Sequence, residues 1–332
     1  MAAIQPLKIN GNKCVFFLLV VLYHYRLMDL QGERSVIDNH DTEAIVNRRA
    51  TITLPPDKSS FAFDCNNIGE IELVKPMGKG VTKETYLGKY KGEEYAVQFV
   101  TKDVISVKDC VGNLKSWEVA AGHARTCTAL PLMKIMKGIL IAMQLNHPNL
   151  IRLVGFCAKG ETVESEDSDN LSTKSGVVAV YEYAEKLTIQ NIELLDWEQR
   201  LAIAIDMSDM LQYLEESRLG SILALEFGEK HVLMGKDNRI RLIDFDDFDG
   251  AERSCDRPKH KLFKCNCENG VCKGHNAKSN MFRFQRSFAD ALLDEPVLDS
   301  SRKEKILKKT RRLLRKYNIT ATVLKQRLTA LL

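Results

Sequence analysis

Residues 223–247, LALEFGEKHVLMGKDNRIRLIDFDD, govern how the rest of the chain is read. Two short apolar stretches, KHVLMG and RIRLIDF, flank Gly235 and read as a pair of strands joined by a tight turn. Ionisable groups stand at three places around them. Glu226 precedes the first strand, His231 follows it by five residues, and Asp244 closes the second strand. An aspartate at the end of an apolar strand is costly to bury without a cation or hydrogen-bond donors. Asp244 is therefore a candidate ligand for a divalent metal ion, the alternative being a turn-capping aspartate in a DFDD loop.

Upstream, residues 69–100 alternate in strand fashion as IELVKPM, TYLGKY and EEYAVQFV, punctuated by Gly80 and Gly92. This predicts an antiparallel strand series. At its first turn lies Gly78-Lys79-Gly80. Glycines let backbone N–H groups approach a phosphate closely, although a lone GxG is also a common hairpin turn. Residues 129–145 carry a helical apolar pattern that ends at His147-Pro148-Asn149. Two more strands follow, LIRLVGFC and GVVAVYEY, around an acidic, serine-rich loop. Residues 196–216 are helical again, with Asp196 as the expected N-cap before Trp197. The last third is a cysteine-containing loop followed by helices. Its segment 302–316, RKEKILKKTRRLLRK, reads as the solvated face of an amphipathic helix, the alternative being a surface for a membrane or an acidic partner.

The order of these features, from the GKG turn through YAVQF and VYEY to the block containing Glu226 and Asp244, resembles that of protein kinases. More specifically, NHPNLIRLVGFC, RIRLIDFDD followed by Cys255, and CENGVCKGHNAKSNMF before a helix are similar to the secreted vertebrate lonesome kinase family, relatives of protein O-mannose kinase. The likeness covers roughly residues 65–332. It implies an α+β, bilobal protein-kinase-like fold, with an N-lobe antiparallel sheet at 65–184 and a mainly helical C-lobe at 185–332. It also implies ATP with Mg²⁺ or Mn²⁺ as cofactors, tyrosine phosphorylation of secreted or extracellular proteins, and residence in the Golgi lumen or outside the cell. Gly78 and Gly80, with Glu182 and Tyr183 of the hinge-like VYEY segment, become nucleotide-binding candidates. Glu226 falls at the catalytic aspartate, His231 at the asparagine that ligates metal, and Asp244 at the metal-binding aspartate. The usual A-P-E segment is absent.

The same resemblance exposes departures. The strand lysine for the phosphates is Gln98, its glutamate partner on the following helix falls at Gly138, and Lys83 takes the place of the third loop glycine. Loss of the lysine removes a cation where electrostatics is often the largest catalytic contribution. Glu226 adds a methylene, and His231 offers nitrogen where Mg²⁺ prefers oxygen. Losing both members of the ion pair avoids stranding one buried charge, which costs about 3–5 kcal/mol. Lys79, Lys83 and Lys102 are candidates for a relocated charge. The expectation is a secretory-pathway pseudokinase acting as a binding or scaffolding module; the alternative is an active divergent kinase with Glu226 as base. A disulfide-rich structural protein unrelated to kinases is a third reading.

Composition agrees with a globular, secreted chain. Of 332 residues, 45% are hydrophobic and 28% charged, enough for a substantial core. The net charge of +4 calls for no nucleic-acid partner. Lys8 and Lys13 precede the apolar run CVFFLLVVLY, so residues 1–28 read as a signal peptide or short signal anchor, the latter a route to membrane attachment. Residues 29–64 read as a stem. Besides Cys14 there are Cys65, Cys110, Cys127, Cys157, Cys255, Cys265, Cys267 and Cys272, an even set that suggests disulfides. Zinc held by Cys265, Cys267 and Cys272 with His260 and His275 is the alternative, with spacing unlike the usual paired C-x₂-C. Asn170 and Asn318 head glycosylation sequons.

Overall fold

A computed structural model describes residues 61–115, 123–159, 176–256, 264–294, 298 and 300–332. The N-terminal apolar run, the stem up to residue 60, the acidic loop with Asn170, and His260 lie outside the described residues.

The upper lobe is a twisted meander. Strands β1 (Glu72–Lys79), β2 (Glu84–Tyr90) and β3 (Glu93–Phe99) are followed by helices α1 (Ile105–Gly112) and α2 (Ala129–Ala142), then by β4 (Leu153–Lys159) and β5 (Gly176–Glu182). The sheet order is β1-β2-β3-β5-β4, with every neighbour antiparallel. Alternation along the strands sorts the side chains onto two faces. Val97, Phe99, Val178 and Val180 join Phe63, Ile68 and Ile71 in an outer core. Ala96, Ala179 and Tyr181 face the larger core shared with α2 and the lower lobe. Phe63 bridges to Gly155, where an added Cβ would lie 2.2 Å from the Phe63 carbonyl oxygen, so only glycine permits the approach. The Cys65–Cys157 disulfide fastens the same contact.

The lower lobe begins with β6 (Glu185–Lys186), α3 (Ile189–Glu193) and α4 (Trp197–Glu215). Asp196 caps α4: its carboxylate accepts from Gln199 N–H, and the Gln199 side chain accepts from Asp196 N–H. Ala204, Met207, Met210 and Leu214 of α4 have no exposed surface, so this helix is the axis of the lobe. Short strands β7 (Leu223–Ala224), β8 (Val232–Met234), β9 (Ile240–Leu242), β10 (Phe248–Asp249), β11 (Cys267–Glu268) and β12 (Val271–Cys272) follow. The lobe is completed by α5 (His275–Phe284), α6 (Asp290–Leu293), α7 (Ser301–Arg315) and α8 (Ala321–Thr329). On α7, Leu307, Thr310 and Leu314 turn inward while Lys305, Lys308, Lys309, Arg312 and Arg315 are exposed, the solvated basic face expected from the sequence. No helix among the described residues is long and apolar enough to cross a membrane.

All eight cysteines outside the apolar run are paired: Cys65–Cys157, Cys110–Cys127, Cys255–Cys267 and Cys265–Cys272. The thiolates needed by the zinc alternative are thereby consumed. Such a complement fits an oxidising compartment.

The turn after α2 joins the lobes. Asn149 is fully buried; its Nδ2 donates to Asp206 Oδ2 at 2.9 Å and to the Ile240 carbonyl at 3.3 Å, and its Oδ1 accepts from Arg239 Nη2 at 3.2 Å. Its backbone carbonyl accepts from Leu242 N–H at 2.8 Å, and Ile151 N–H donates to the Leu242 carbonyl at 3.0 Å. Strand β9 is therefore stitched to the α2–β4 connection two residues before Asp244. Asn149→Ala removes a hub whose partners include charged groups and is expected to lower unfolding free energy by about 2 kcal/mol or more, read from urea denaturation.

Candidate functional site

A cavity of about 530 Å³ lies between the lobes, a size suited to a nucleotide-sized ligand. Gly78 and Gly80 of the β1–β2 hairpin and Ala96 and Gln98 of β3 line it from the upper lobe. His231, Leu233, Ile243 and Asp244 line it from the lower lobe, and Gly138, Tyr181 and Asp246 line it too, as do the basic Lys79, Lys83, Lys186 and Lys230. Glu182 belongs to the lining, but its carboxylate accepts from Arg241 Nε and from Arg152 N–H, both at 3.0 Å. Tyr183 is not among the lining residues, whereas the next residue, Ala184, is.

The hairpin is built to deliver a lysine. Gly80 N–H donates to the Lys83 carbonyl at 2.8 Å, closing a four-residue turn, so this N–H is already satisfied. Ser106 N–H, in the first turn of α1, donates to the Val81 carbonyl at 2.9 Å and pins the hairpin tip. Lys83 then points inward with a side chain only 13% exposed, and its Nζ contacts both Asp244 Oδ1 and Asp246 Oδ1. Lys79 also lines the cavity but is exposed and pairs with Glu84 at 3.0 Å, and Lys102 does not line it. Of the three lysines considered from sequence, Lys83 is the one whose ammonium meets the carboxylates of the cavity.

The acidic partner has moved as well. Asp246 is 4% exposed and packs against Gly138 of α2. A Cβ on Gly138 would lie 3.4 Å from Asp246 N and 3.8 Å from the Tyr181 hydroxyl, so the helix leaves its usual glutamate space to these groups. Lys134 of α2 reaches Asp247 at 3.1 Å and holds the helix to the same loop. Asp244 itself adopts φ 74° and ψ 52°, a left-handed conformation uncommon for a non-glycine residue and characteristic of functional sites. The following Phe245 is buried, with ring centroids 6.4 Å from Tyr181 and 5.1 Å from Phe248.

Charge in this cluster is strongly coupled. Burial opposes the charge on Lys83, yet the two carboxylates raise its pKa above the ordinary 10.5. Burial, then the hydrogen bond with Asp244, pushes Asp246 up from 3.8 to about 6. Burial acts in the same direction on Asp244, but its hydrogen bond with Asp246 and the Lys83 ammonium hold it below 3.8. Asp246 is the buried cleft acid that sequence reasoning did not single out; its signal was the second aspartate of DFDD, where the kinase motif carries glycine.

A second group of donors meets Asp244 from the other side. His231 Nε2 is 3.0 Å from Glu226 Oε2 and 3.5 Å from Asp244 Oδ2, and the three donor atoms lie within 4.8 Å of one another. Glu226 is half-exposed and does not line the cavity, but it is tied to the site through His231. Two carboxylates and an imidazole are a donor set that suits a divalent cation. Asn318 is exposed in the turn between α7 and α8.

An antiparallel five-stranded upper lobe, a helical lower lobe and an acid-lined cavity between them define a bilobal protein-kinase-like fold. A solved apo pseudokinase structure covers 81% of this chain and 95% of its own, with a TM-score of 0.50 and 13% identity, a likeness of fold. In sequence, the chain is 27% identical over 256 residues to human extracellular tyrosine-protein kinase PKDCC, covering 71% of this chain and 48% of that protein. Chicken protein O-mannose kinase is 25% identical over 259 residues, covering 76% and 62%. The chain is a kinase homologue related to both, and it spans about half the length of the human relative. No protein-family model matches it.

The Lys83 cluster predicts a pH-dependent phenotype. The raised folded pKa of Asp246 means that its bound proton favours the fold below about pH 6, and that this contribution is lost as pH rises through that value. Lys83→Met leaves the two acids without their cation and is expected to cost about 3 kcal/mol at pH 7.5. The loss should be smaller at pH 5, where Asp246 can be protonated; urea unfolding at the two pH values reads the difference.

Proposed function

We propose that this chain binds a nucleoside triphosphate with a divalent cation in the interlobe cleft and transfers the terminal phosphoryl group to hydroxyls of secreted or extracellular proteins. The observation that carries the reading is the inward-facing Lys83 ammonium between Asp244 and Asp246. The expectation of a pseudokinase rested on four replaced positions, Gln98, Gly138, Glu226 and His231. A cation supplied by the hairpin and a carboxylate supplied by the loop answer the first two of these replacements and leave Glu226 and His231 as they are.

Phosphoryl transfer depends on positioning and charge stabilisation more than on covalent chemistry by the protein. The bound triphosphate and cation supply the transferable group and neutralise its charge. Lys83 would hold phosphate oxygens, with Asp246 keeping its ammonium in place as the helix glutamate does in other kinases. Asp244 would hold the cation with His231. Ala96 and Leu233 offer apolar surface to the base, and Ala184 follows the β5 end as the adjoining backbone. Residence in the secretory pathway, in the Golgi lumen or outside the cell, is supported by the four disulfides and by the extracellular relative.

A binding-only pseudokinase is the second reading. It is favoured by the 3.0 Å contact that engages the Glu226 carboxylate with His231, at the position of the catalytic base. Thermal unfolding with ATP and Mn²⁺ or Mg²⁺, alongside radiolabel transfer to an extracellular-matrix protein mixture, separates the two. Saturating nucleotide is expected to raise Tm by about 5 °C or more. Lys83→Ala and Asp244→Ala should abolish the shift, and Gln98→Ala should retain it. Label lost in Asp244→Ala supports transfer, a shift without label supports the binding-only reading, and no shift overturns both.

A further inference from the structure

We propose that the exposed basic face of α7 is a docking surface for a linear sulfated polysaccharide of the glycosaminoglycan type, which tethers the protein outside the cell. The inference rests on the secretory residence proposed above and is independent of the nucleotide reading of the cleft.

Segregation of charge is the first support. Segment 302–316 carries nine Lys and Arg and one acid, Glu304, a net charge of +8, while the whole chain carries +4, which leaves −4 for all other residues together. Positive charge is thus concentrated on one element of an otherwise acidic chain, where it sets up a local field. The fold then sorts these cations. Arg302, Lys305, Lys308, Lys309, Arg312 and Arg315 are exposed and recur every three or four residues, so they form one stripe about 20 Å long along the helix. Arg311 pairs with Asp294 at 3.1 Å and Lys303 donates to the Leu332 carbonyl at 3.2 Å, but the six cations of the stripe have no ion-pair partner among the described residues. A stripe of this length exceeds any single small anion and fits one whose charges repeat along a chain.

The apolar side chains of α7 decide between a membrane and a soluble polyanion. A helix that lies in a bilayer surface buries an apolar face about 5–10 Å into it. Here Leu307 and Leu314 are buried and Ile306 packs against the protein core. The exposed positions of α7 are Ser301 and charged residues alone, so the face has nothing to insert. Its attraction is purely electrostatic. Guanidinium forks at Arg302, Arg312 and Arg315 match paired oxygens of a sulfate or carboxylate, and the lysines add point charges. The four disulfides support an oxidising compartment, where the abundant linear polyanions are sulfated polysaccharides and not nucleic acids.

Position in the fold is the third support. Helix α7 packs on α8 and on the helical turn at Gln285–Ala289, and none of its residues lines the interlobe cleft. With Leu298 it lines a separate depression of about 870 Å³. A polysaccharide lying along the stripe therefore leaves the cleft open, so the surface localises the protein without blocking it. Because Leu307, Thr310 and Leu314 fix the helix against the lobe, the backbone carrying the cations is already ordered and binding costs only side-chain freedom.

The test measures the affinity of the purified full chain for a heparin oligosaccharide as salt is raised. Affinity is expected to fall about tenfold or more between about 0.15 M and about 0.5 M NaCl. A triple variant, Lys308→Glu with Lys309→Glu and Arg312→Glu, should weaken binding about tenfold or more. Lys75, Lys102 and Lys278 are exposed on other parts of the chain. Their combined replacement by Glu changes the net charge equally and should keep affinity within about twofold. Thermal unfolding of both triple variants within about 2 °C of the parent excludes misfolding as the cause. Equal losses in the two triple variants, or equally tight binding of desulfated heparin or polyglutamate, would overturn the proposal. So would tighter binding to phosphatidylserine vesicles than to heparin. A chain retained in the cytosol of the cells that make it would overturn the residence and, with it, the extracellular partner. Heparin binding through α7 in a chain that fails to bind ATP would sustain this surface while overturning the nucleotide reading.

Discussion

The ammonium of Lys83 holds the cleft together electrostatically. It is nearly buried and bridges Asp244, two residues past β9, to Asp246, two residues further on. Two carboxylates this close repel one another, and burial removes the water that would screen them. The lysine offsets that repulsion where the DFDD loop brings both acids together and Asp244 is left-handed. The hairpin that carries Lys83 is fixed in turn by its Gly80 hydrogen bond and by the N-terminus of α1. A single buried charge thereby couples both lobes.

The rest of the fold supplies rigidity around that contact. Asn149 stitches β9 to the segment after α2, so Asp244 leaves a strand whose position is set from both sides. The lower lobe packs around the fully buried face of α4, and the Cys65–Cys157 disulfide straps the chain entering the upper lobe onto β4. Lys134 and Asp247 join α2 to the loop by a second ion pair. The catalytic geometry of a kinase needs a cation for phosphates, an acid that orients the cation, and an acid for metal. On the proposed reading these would be Lys83, Asp246 and Asp244, on different elements from those that usually carry the first two. A pair of opposite charges, Lys83 and Asp246, thus stands in the cleft where Gln98 and Gly138 supply none. Glu226 and His231 form a separate cluster on the outer side of Asp244.

Much of this molecule was legible in the amino-acid sequence, for local reasons. Period-two alternation located the meander at 69–100, and the Asp196 cap located the start of α4, because both depend on contacts within a few residues. The even cysteine set pointed to disulfides, and the order of motifs pointed to a bilobal kinase-like fold. The candidate residues Gly78, Gly80, Gln98, Glu182, His231 and Asp244 converge on one cavity. What sequence alone could not decide was which of Lys79, Lys83 and Lys102 enters the cleft, or that Asp246 takes the space left by Gly138. Those outcomes depend on contacts across more than a hundred residues, where the competing lysines differ by only a few positions and look chemically alike. Only tertiary packing, by pairing Lys79 with Glu84 and turning Lys83 toward two buried acids, decides which lysine ammonium meets the carboxylates of the cleft.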